Sequence, residues 1–420
     1  MRIKLRGIVV IIAAMVAFLT MTDIMAQKNF YEIQWNSISA LMEEQNWKSA
    51  NELAKKVARQ AKKEGLSTEE MISAWYVAQT SVAFEENFEE AIVTNLTEML
   101  PRLNEVDQMI CHSILAQMLD SRKVNYTEDE QMRETLLAEH REAALANKVL
   151  LQQTPTERYK VICRTEWHNN ELDITPTVYD ILMRAEIAML DEEDERAALS
   201  LLKELAMFHA TDTDESLRIY LDIEVLEKQT KVPNSEEVTI ADWQRLIDKY
   251  KGSQATMAGQ LYAKAARLAR EKGQLVESVA YCDQAISLYP QTDASSECTL
   301  IKAEIQIPHI EVNRLGVEMS GRRNMVVVKV RNVSELHCRG VKSSREEQAT
   351  LFDMNKVELP KKKALESWVQ RVDDKHDYQE QSIYCYIPKL ATGHYLLVLS
   401  ADEDFTKGCV AIGFDCSDAT

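Results

Sequence analysis

The sequence predicts an α+β protein of more than one domain, in which a long array of helical hairpins precedes an antiparallel β-sandwich. The chain has 420 residues, which is more than one hydrophobic core usually accommodates. Up to about Ala303, apolar residues recur at three- and four-residue steps, as in amphipathic helices. After Pro308 the period falls towards two, which is typical of strands. We therefore expect a signal peptide at 1–26, an all-α region at 27–304 and a β-sandwich at 305–420.

The composition is that of a folded, acidic protein. Hydrophobic residues make up 45% and charged residues 28% of the chain, an ordinary globular balance. The formal net charge is −18, so a broad basic face for nucleic acid is excluded and we expect no nucleic-acid partner. Glycine and proline are scarce, with 11 and 8 residues, which favours helices over linkers.

The first segment has the pattern of an export signal. A basic start is followed by the apolar run Ile8–Leu19 and then by the small residue Ala26. This order predicts cleavage between Ala26 and Gln27 and a periplasmic or extracellular location. The alternative is an uncleaved anchor, but the apolar run is shorter than the roughly 20 residues that span a bilayer. We expect no membrane span after signal removal.

The next region has the spacing of antiparallel helical hairpins. Segments of helical period alternate with stop signals such as Gly65, the Pro233–Ser235 turn and Gly252. Ser67 followed by Glu70 has the pattern of a capping box, in which each side chain satisfies a backbone N–H.

One stretch, 262–290, resembles a tetratricopeptide-type repeat. Small Ala266 and Ala269 would let its first helix pack closely, and Gly273 would open the turn to the second. Ser278 stands where such repeats usually carry alanine. Arrays of this kind bind polypeptides on one face, although a helical scaffold without a ligand is an equal alternative.

Four β-rich runs follow, separated by turn signals at Pro388, Gly393, the 402–404 acidic turn and Gly408. The runs are Met325–Val330, Ser382–Ile387, His394–Leu399 and Cys409–Phe414. No helix of crossover length intervenes, so we expect an antiparallel sandwich. The stretch 343–378 is interpreted as a long strand connection, with Trp368 and Val369 in an edge strand.

The eight cysteines give a limited redox prediction. None forms a CxxC pair and no Cys/His cluster has zinc spacing. The candidate disulfide cysteines lie in the β region: Cys338, Cys385, Cys409 and Cys416. The cysteines in helical sequence are interpreted as buried free thiols, which is the commoner state.

No catalytic motif occurs, so we expect no enzyme activity, no cofactor and no metal ion. The GxSxG, HExxH, P-loop and GxGxxG patterns are all missing from the sequence. The acidic runs 191–195 and 401–404 lack the glycine and spaced carboxylates of a calcium loop. His112 and His209 are interpreted as packed or capping residues. A hydrolase with a dispersed Ser or Cys nucleophile is a minor alternative.

The order of parts resembles the N-terminal region of bacterial, Bacteroidetes-type α2-macroglobulin family proteins. The segments that carry the likeness are Pro176–Asp180, Leu205–His209, Ala285–Pro290, Glu297–Cys298, Ile305–Pro308, Val330–Leu336, Ile387–Leu390 and Gly393–Leu397. The resemblance implies that the sandwich is of macroglobulin type. Protease-trapping members carry a bait region and a Cys-x-Glu-Gln thioester. In this sequence Arg345–Glu346 precedes Glu347–Gln348, so the chain is interpreted as truncated before both features.

These observations predict an exported, non-enzymatic protein-interaction module, the N-terminal part of an α2-macroglobulin-like protease-inhibitor system. Its partner would be a protease or an envelope protein, bound on the concave helical face or at a strand edge. The alternatives are a generic TPR-like envelope scaffold or adaptor and a carbohydrate-binding protein. Trp35, Trp47, Trp75 and Trp243 are candidate anchors, with core packing as the favoured alternative.

Overall fold

The computed structural model describes residues 30–84, 88–121, 129–159, 162, 173–313, 316–349 and 363–418. The predicted cleavage residues Ala26 and Gln27 lie outside these ranges. The chain forms two compact units, the first ending at Glu237 and the second beginning at Val238. The change from helix to strand falls between 306 and 309, so the second unit combines the last helices of the α region with all the described strands.

The described residues of the first unit form helices joined by turns and loops, with an isolated β-bridge between Pro155 and Thr177. Its helices are α1 (30–43), α2 (Trp47–Glu64), α3 (Ser67–Ser81), α4 (Phe88–Met99), α5 (Glu105–Asp120), α6 (Glu130–Ala144), α7 (Lys148–Gln153), α8 (Val178–Glu193), α9 (Glu195–Phe208) and α10 (Glu215–Lys231). Sequential helices pack against one another, α2 on α3, α5 on α6 and α8 on α9. This is the hairpin pattern that the spacing of apolar residues predicts.

The helix boundaries follow local chemistry. Gly65 ends α2 in the left-handed conformation, with φ 73°, which only glycine adopts without steric cost. The predicted capping box at Ser67 is wrong, because Ser67 is already the first residue of α3. Its hydroxyl instead donates to the buried Asp107 carboxylate at 3.3 Å, and Glu70 accepts from Arg102. The N-cap position of α3 is Leu66, whose side chain cannot form a capping hydrogen bond.

Four helices open the second unit: α11 (Ile240–Lys249), α12 (Ala258–Glu271), α13 (Leu275–Leu288) and α14 (Asp293–Gln306). α12 and α13 form the predicted hairpin, with Gly273 at φ 75° in the turn. Ala266 and Ala269 are fully buried between the helices. Ser278 is also fully buried, and its hydroxyl donates to the Ala266 carbonyl at 2.7 Å. A serine therefore fits at the predicted alanine position because its one polar atom is satisfied.

Eight strands follow: β1 (His309–Val312), β2 (Val317–Met319), β3 (Asn324–Arg331), β4 (Glu335–Lys342), β5 (Glu366–Arg371), β6 (Gln381–Ile387), β7 (Gly393–Ser400) and β8 (Val410–Ser417), with a short helix α15 (Arg345–Ala349) after β4. They form a three-stranded sheet in the order β1-β3-β6 and a five-stranded sheet in the order β2-β8-β7-β4-β5. β5 is an edge strand, as predicted for Trp368 and Val369. The sheets are not purely antiparallel, because β2 pairs with β8 in parallel.

The two sheets contribute to one hydrophobic core. Strand alternation places Val326, Val328 and Val330 of β3 on the inner face, where they join Leu397 and Leu399 of β7 in a single cluster. Two polar side chains also connect α14 and the α12–α13 turn with the sheets of this unit. Asn332 donates to the Ile305 carbonyl at 2.6 Å, and Gln379 donates to the Gly273 carbonyl at 3.1 Å.

Within the described ranges, no helix combines the length and the apolar character that crossing a bilayer requires.

Candidate functional site

The outer face of the three-stranded sheet carries a group of exposed apolar side chains. Because side chains alternate along a strand, the residues between the buried valines of β3 and between the buried residues of β6 point outwards. These are Met325 and Val327 on β3, with Tyr384 and Tyr386 on β6. Their exposed fractions are 49%, 40%, 58% and 50%. We call these four residues the tyrosine patch.

The strand register makes the tyrosine patch continuous. Met325 lies directly opposite Tyr386, and Val327 lies directly opposite Tyr384. Directly opposed side chains on one face of an antiparallel pair are in contact range. Grouped exposure of large apolar side chains is typical of binding surfaces, whereas single exposed residues need no explanation.

Two polar side chains border the tyrosine patch. The Arg323 guanidinium lies over the Tyr386 ring, 5.9 Å from its centroid, a geometry that favours cation–π attraction. On the other sheet, Gln370 donates from Nε2 to the backbone carbonyl of Tyr384 at 2.6 Å. Since β6 is the edge of its sheet, this bond occupies one carbonyl that a new strand would need.

The other end of the same sheet carries charged groups. His309, Glu311 and Glu380 offer ligand atoms within 4.8 Å of one another, all on exposed side chains. The Lys329 ammonium, however, lies 3.4 Å from Glu311 Oε2 and 3.5 Å from Glu380 Oε1. These two carboxylates raise the pKa of Lys329. The Lys329 ammonium therefore already occupies a cation position beside both carboxylates and offsets part of their charge.

His209 is buried between two carboxylates in the first unit. Its Nε2 lies 2.6 Å from Asp180 Oδ1, and its Nδ1 lies 2.6 Å from Asp212 Oδ2. Burial by itself lowers the pKa of His209, but the hydrogen bonds and charges of the two aspartates outweigh it, so the pKa is raised. Asp180 is also fully buried and completes the capping box of α8 with Thr177. His209 is thus a packed residue that joins Asp180 and Asp212 through hydrogen bonds, in agreement with the interpretation of His209 as packed or capping.

His112 on α5 pairs with His140 on α6, their Nδ1 atoms 2.7 Å apart. One ring must donate and the other accept, so both cannot be protonated in this geometry. Burial lowers the pKa of both groups. The sequence gives no indication of this contact, because 28 residues separate the two histidines.

A third buried network is centred on Asp107 of α5. Its carboxylate accepts from Thr68 at 2.6 Å, from Tyr159 at 2.8 Å, and from Ser67 and Asn104. Burial raises the pKa of Asp107, and these hydrogen bonds oppose the shift. The donors Thr68 and Tyr159 are buried, and the network connects α3, α5 and the turn after α7.

The predicted anchor tryptophans do not form a surface. Trp35 and Trp243 are buried, and Trp47 and Trp75 are half-buried. The Trp35 indole donates to Ser73 at 3.2 Å. The alternative interpretation, that these tryptophans are core residues, is therefore correct for Trp35 and Trp243. Tyr384 and Tyr386 of β6 are exposed aromatic residues, and the period-two alternation of the sequence places them on one face.

The acidic runs act as local caps and turns where they are described. Asp194 accepts from the backbone N–H groups of Arg196 and Ala197. Asp402 accepts from those of Thr406 and Lys407 at 2.8 and 2.9 Å. These are the bonds of helix starts and tight turns.

Cys338, Cys385 and Cys416 are free thiols in the structure, and none of the four candidate cysteines is joined in a disulfide. Cys338 and Cys385 come together, with their sulfur atoms 3.8 Å apart. Cys416 is buried in the same core cluster, whereas Cys409 is half-buried and packs against a second, smaller cluster. The structure thus brings two of the four together.

Gln348, in the position compared with a thioester, has a structural role. Its Nε2 donates to the carbonyls of Tyr395 at 3.0 Å and of Phe414 at 2.9 Å. The Gln348 side chain lies against β8 at Gly413. A Cβ atom added at Gly413 would be 2.9 Å from Gln348 Cγ, which is too close for an ordinary contact.

Comparison with protein-family models gives no match for this chain, and comparison with curated proteins gives none either. The resemblance to the α2-macroglobulin family therefore stays a prediction.

Proposed function

We propose that this protein is an exported, non-enzymatic interaction module that binds a protein partner through the tyrosine patch. The observation that carries the proposal is the cross-strand set Met325–Tyr386 and Val327–Tyr384 on an outer sheet face. Tyrosine and methionine are enriched in the cores of protein interfaces, where an apolar centre is bordered by polar residues. The charged end of the sheet and Arg323 supply such a border here.

Binding uses the face of the sheet in preference to its edge. The sequence left both the helical surface and a strand edge open as sites. Gln370 holds the Tyr384 carbonyl, so strand addition at β6 would first have to break a 2.6 Å hydrogen bond. A partner that contacts the apolar side chains of the patch does not have to break such a hydrogen bond. Its binding only removes these side chains from water, which is favourable.

The partner class follows from the resemblance. A macroglobulin-like inhibitor system implies a protease or an envelope protein as partner, and a non-covalent complex in this case. Covalent trapping would need a glutamine side chain joined to a cysteine. The Gln348 amide instead bonds two backbone carbonyls of the second unit, and Arg345 stands where the thioester pattern has its cysteine.

A carbohydrate partner is the second candidate. Tyr384 and Tyr386 lie two residues apart on one face of β6, and exposed aromatic rings can stack on sugar rings. Against this candidate, the opposing residues Met325 and Val327 offer no hydrogen bonds to sugar hydroxyls, and Arg323 covers the Tyr386 ring. These contacts favour a protein.

The test is a binding experiment with the purified chain and its matched variants. The candidate partners are of two kinds: proteins that cross-link to the chain in envelope fractions, and a panel of secreted proteases. Each candidate would be purified and titrated against the immobilised chain. We expect Tyr384→Ser/Tyr386→Ser to weaken binding by about tenfold or more. The control is Val369→Ser, since Val369 is equally exposed but lies on β5 of the other sheet.

Each outcome has a defined meaning. Equal binding by the double variant and the wild type would refute the tyrosine patch as the site. Retardation by polysaccharides in affinity electrophoresis, lost in the double variant, would replace the protein partner with a carbohydrate. Patch-dependent binding of a protease would assign the partner to the protease class, with inhibition by excess chain as the readout of inhibitor function, and patch-dependent binding of a cross-linked envelope protein would assign it to the envelope class.

A further inference from the structure

Two cysteines face each other across the core between the sheets. Cys338 lies on β4 of the five-stranded sheet and Cys385 on β6 of the three-stranded sheet. Their exposed fractions are 1% and 0%. The two sulfur atoms are 3.8 Å apart, which is contact distance for thiols. The proposed binding function does not depend on this pair.

The surroundings hold the two thiols in place. Cys338 lies directly opposite Trp368 of β5, and the indole N–H of Trp368 is buried. A hydrogen bond with Cys338 lowers the pKa of Cys385, burial opposes that shift, and the Trp368 indole adds to the lowering. An indole packed beside an inter-sheet cysteine pair is also a feature of immunoglobulin sandwiches.

We propose that Cys338 and Cys385 are oxidised to a disulfide that joins the two sheets. A disulfide needs the sulfurs at about 2.0 Å, so they would have to approach from 3.8 Å within a core that already places them face to face. The proposal goes beyond partner binding, because it concerns how the β part of the protein is held together. An exported protein would meet an oxidising compartment, where such bonds persist.

The reaction is thiol–disulfide exchange. The thiolate of one cysteine attacks an external disulfide, forming a mixed disulfide and releasing one thiol. The second cysteine then attacks the mixed disulfide, the S–S bond between Cys338 and Cys385 forms, and the second external thiol leaves. Two protons and two electrons leave the cysteine pair, and the external disulfide takes up both electrons. Because both thiols are buried, exchange takes place before the sheets close during folding.

The direct test is peptide mapping of the refolded chain. The full chain would be reduced, denatured and refolded with reduced and oxidised glutathione, and free thiols would then be alkylated under denaturing conditions. We expect a linked pair of peptides that contain Cys338 and Cys385, about 2 Da lighter than the two thiol peptides together. Alkylation of both cysteines, or a link from either to Cys416 or Cys409, would overturn the proposal.

Thermal unfolding provides an independent readout. Cys282 on α13 and Cys298 on α14 are also hydrogen-bonded to each other and buried, so Cys282→Ala/Cys298→Ala is the background that removes their contribution. In this background we expect a reductant to lower the Tm by about 5–15 °C. Adding Cys338→Val should abolish that reductant-dependent shift. Adding Cys416→Ala, a change in the same core cluster, should lower the Tm but preserve the shift.

A Tm that is insensitive to reductant in the background protein would contradict the disulfide even if every variant folds. A reductant-dependent shift that survives Cys338→Val would assign the effect to other thiols and would equally overturn it. The tyrosine patch is intact in all of these variants, so neither result bears on the proposed binding function.

Discussion

The two compact units differ in what they bury. The first unit buries charged side chains and a histidine: Glu69, Asp107, Asp180, Arg184 and His209. Among the described residues of the second unit, the buried polar side chains are Ser278, Ser295 and Ser400. A buried charge requires a full set of partners, so the first unit depends on networks whose strength changes with pH. The core of the second unit is mainly apolar, so we expect its packing to change less with pH than the networks of the first unit.

The largest expected effect comes from removing the centre of one such network. Asp107→Ala leaves the buried donors of Thr68 and Tyr159 without an acceptor. Unsatisfied buried donors cost about 1–3 kcal/mol each, so we expect the first unit to lose about 3 kcal/mol of unfolding free energy. Hydrogen exchange resolved by peptide would measure the loss in each unit separately.

Asp107→Asn is the matched control for that experiment. It keeps one acceptor oxygen at the same place and should recover part of the loss. An effect spread equally over both units, or a loss below about 1 kcal/mol, would contradict the difference between the units.

The second prediction concerns pH. The pKa of His209 is raised above 6.5 in the folded state, so protonation stabilises the first unit. This contribution is complete below pH 6.5 and is lost as the pH rises through the raised value. His209→Gln should therefore cost roughly 1–3 kcal/mol at pH 5.5 and less at pH 8.5, measured by denaturant unfolding. A cost that is the same at both pH values would show that the imidazolium plays no part.

The histidine pair of α5 and α6 should have the opposite sign. Burial lowers the pKa of His140, the charge of His112 adds to the lowering, and Glu139 opposes it. A lowered histidine pKa contributes stability above pH 6.5 that is lost as the pH falls through the folded value. His140→Phe keeps a ring in contact with His112 and should make the first unit less sensitive to acid, by less than about 1 kcal/mol. An increased sensitivity to acid would refute the assignment.

The smallest effect should occur in the second unit. Ser278→Ala removes one hydrogen bond to the Ala266 carbonyl but keeps the small volume that the hairpin needs. The expected change in unfolding free energy is within about 1 kcal/mol and the same at pH 5.5 and 8.5. A larger or pH-dependent change would show that polar burial matters as much in this unit as in the first.

The sequence predicted the elements that local chemistry determines. Gly273 places the turn of the α12–α13 hairpin because a positive φ favours glycine. The four runs of period two all correspond to strands, β3, β6, β7 and β8. The strand β4 was missed, because its alternation of apolar and polar residues is short and is interrupted at Gly340 and Val341. Long-range pairing is equally hard to predict, and the parallel contact of β2 with β8 has no local signal.

The candidate sites show the same difference between features that local sequence determines and features that depend on long-range packing. Alternation along β6 predicts that Tyr384 and Tyr386 share a face, but only the register with β3 adds Met325 and Val327 to it. The capping box at Ser67 failed because its real partner, Asp107, lies 40 residues away. The cysteine pair was predicted as a group of four, and the packing of the two sheets selects Cys338 and Cys385 from it.

The contact of Gln348 with Gly413 has a consequence for related sequences. The amide that bridges two carbonyls leaves room for only a hydrogen atom at position 413. The two positions should therefore change together during evolution, because a larger residue at 413 requires a shorter one at 348. In related sequences, paired substitution at these sites would identify proteins in which the side chain at position 348 still covers β8, even where the rest of the chain has diverged.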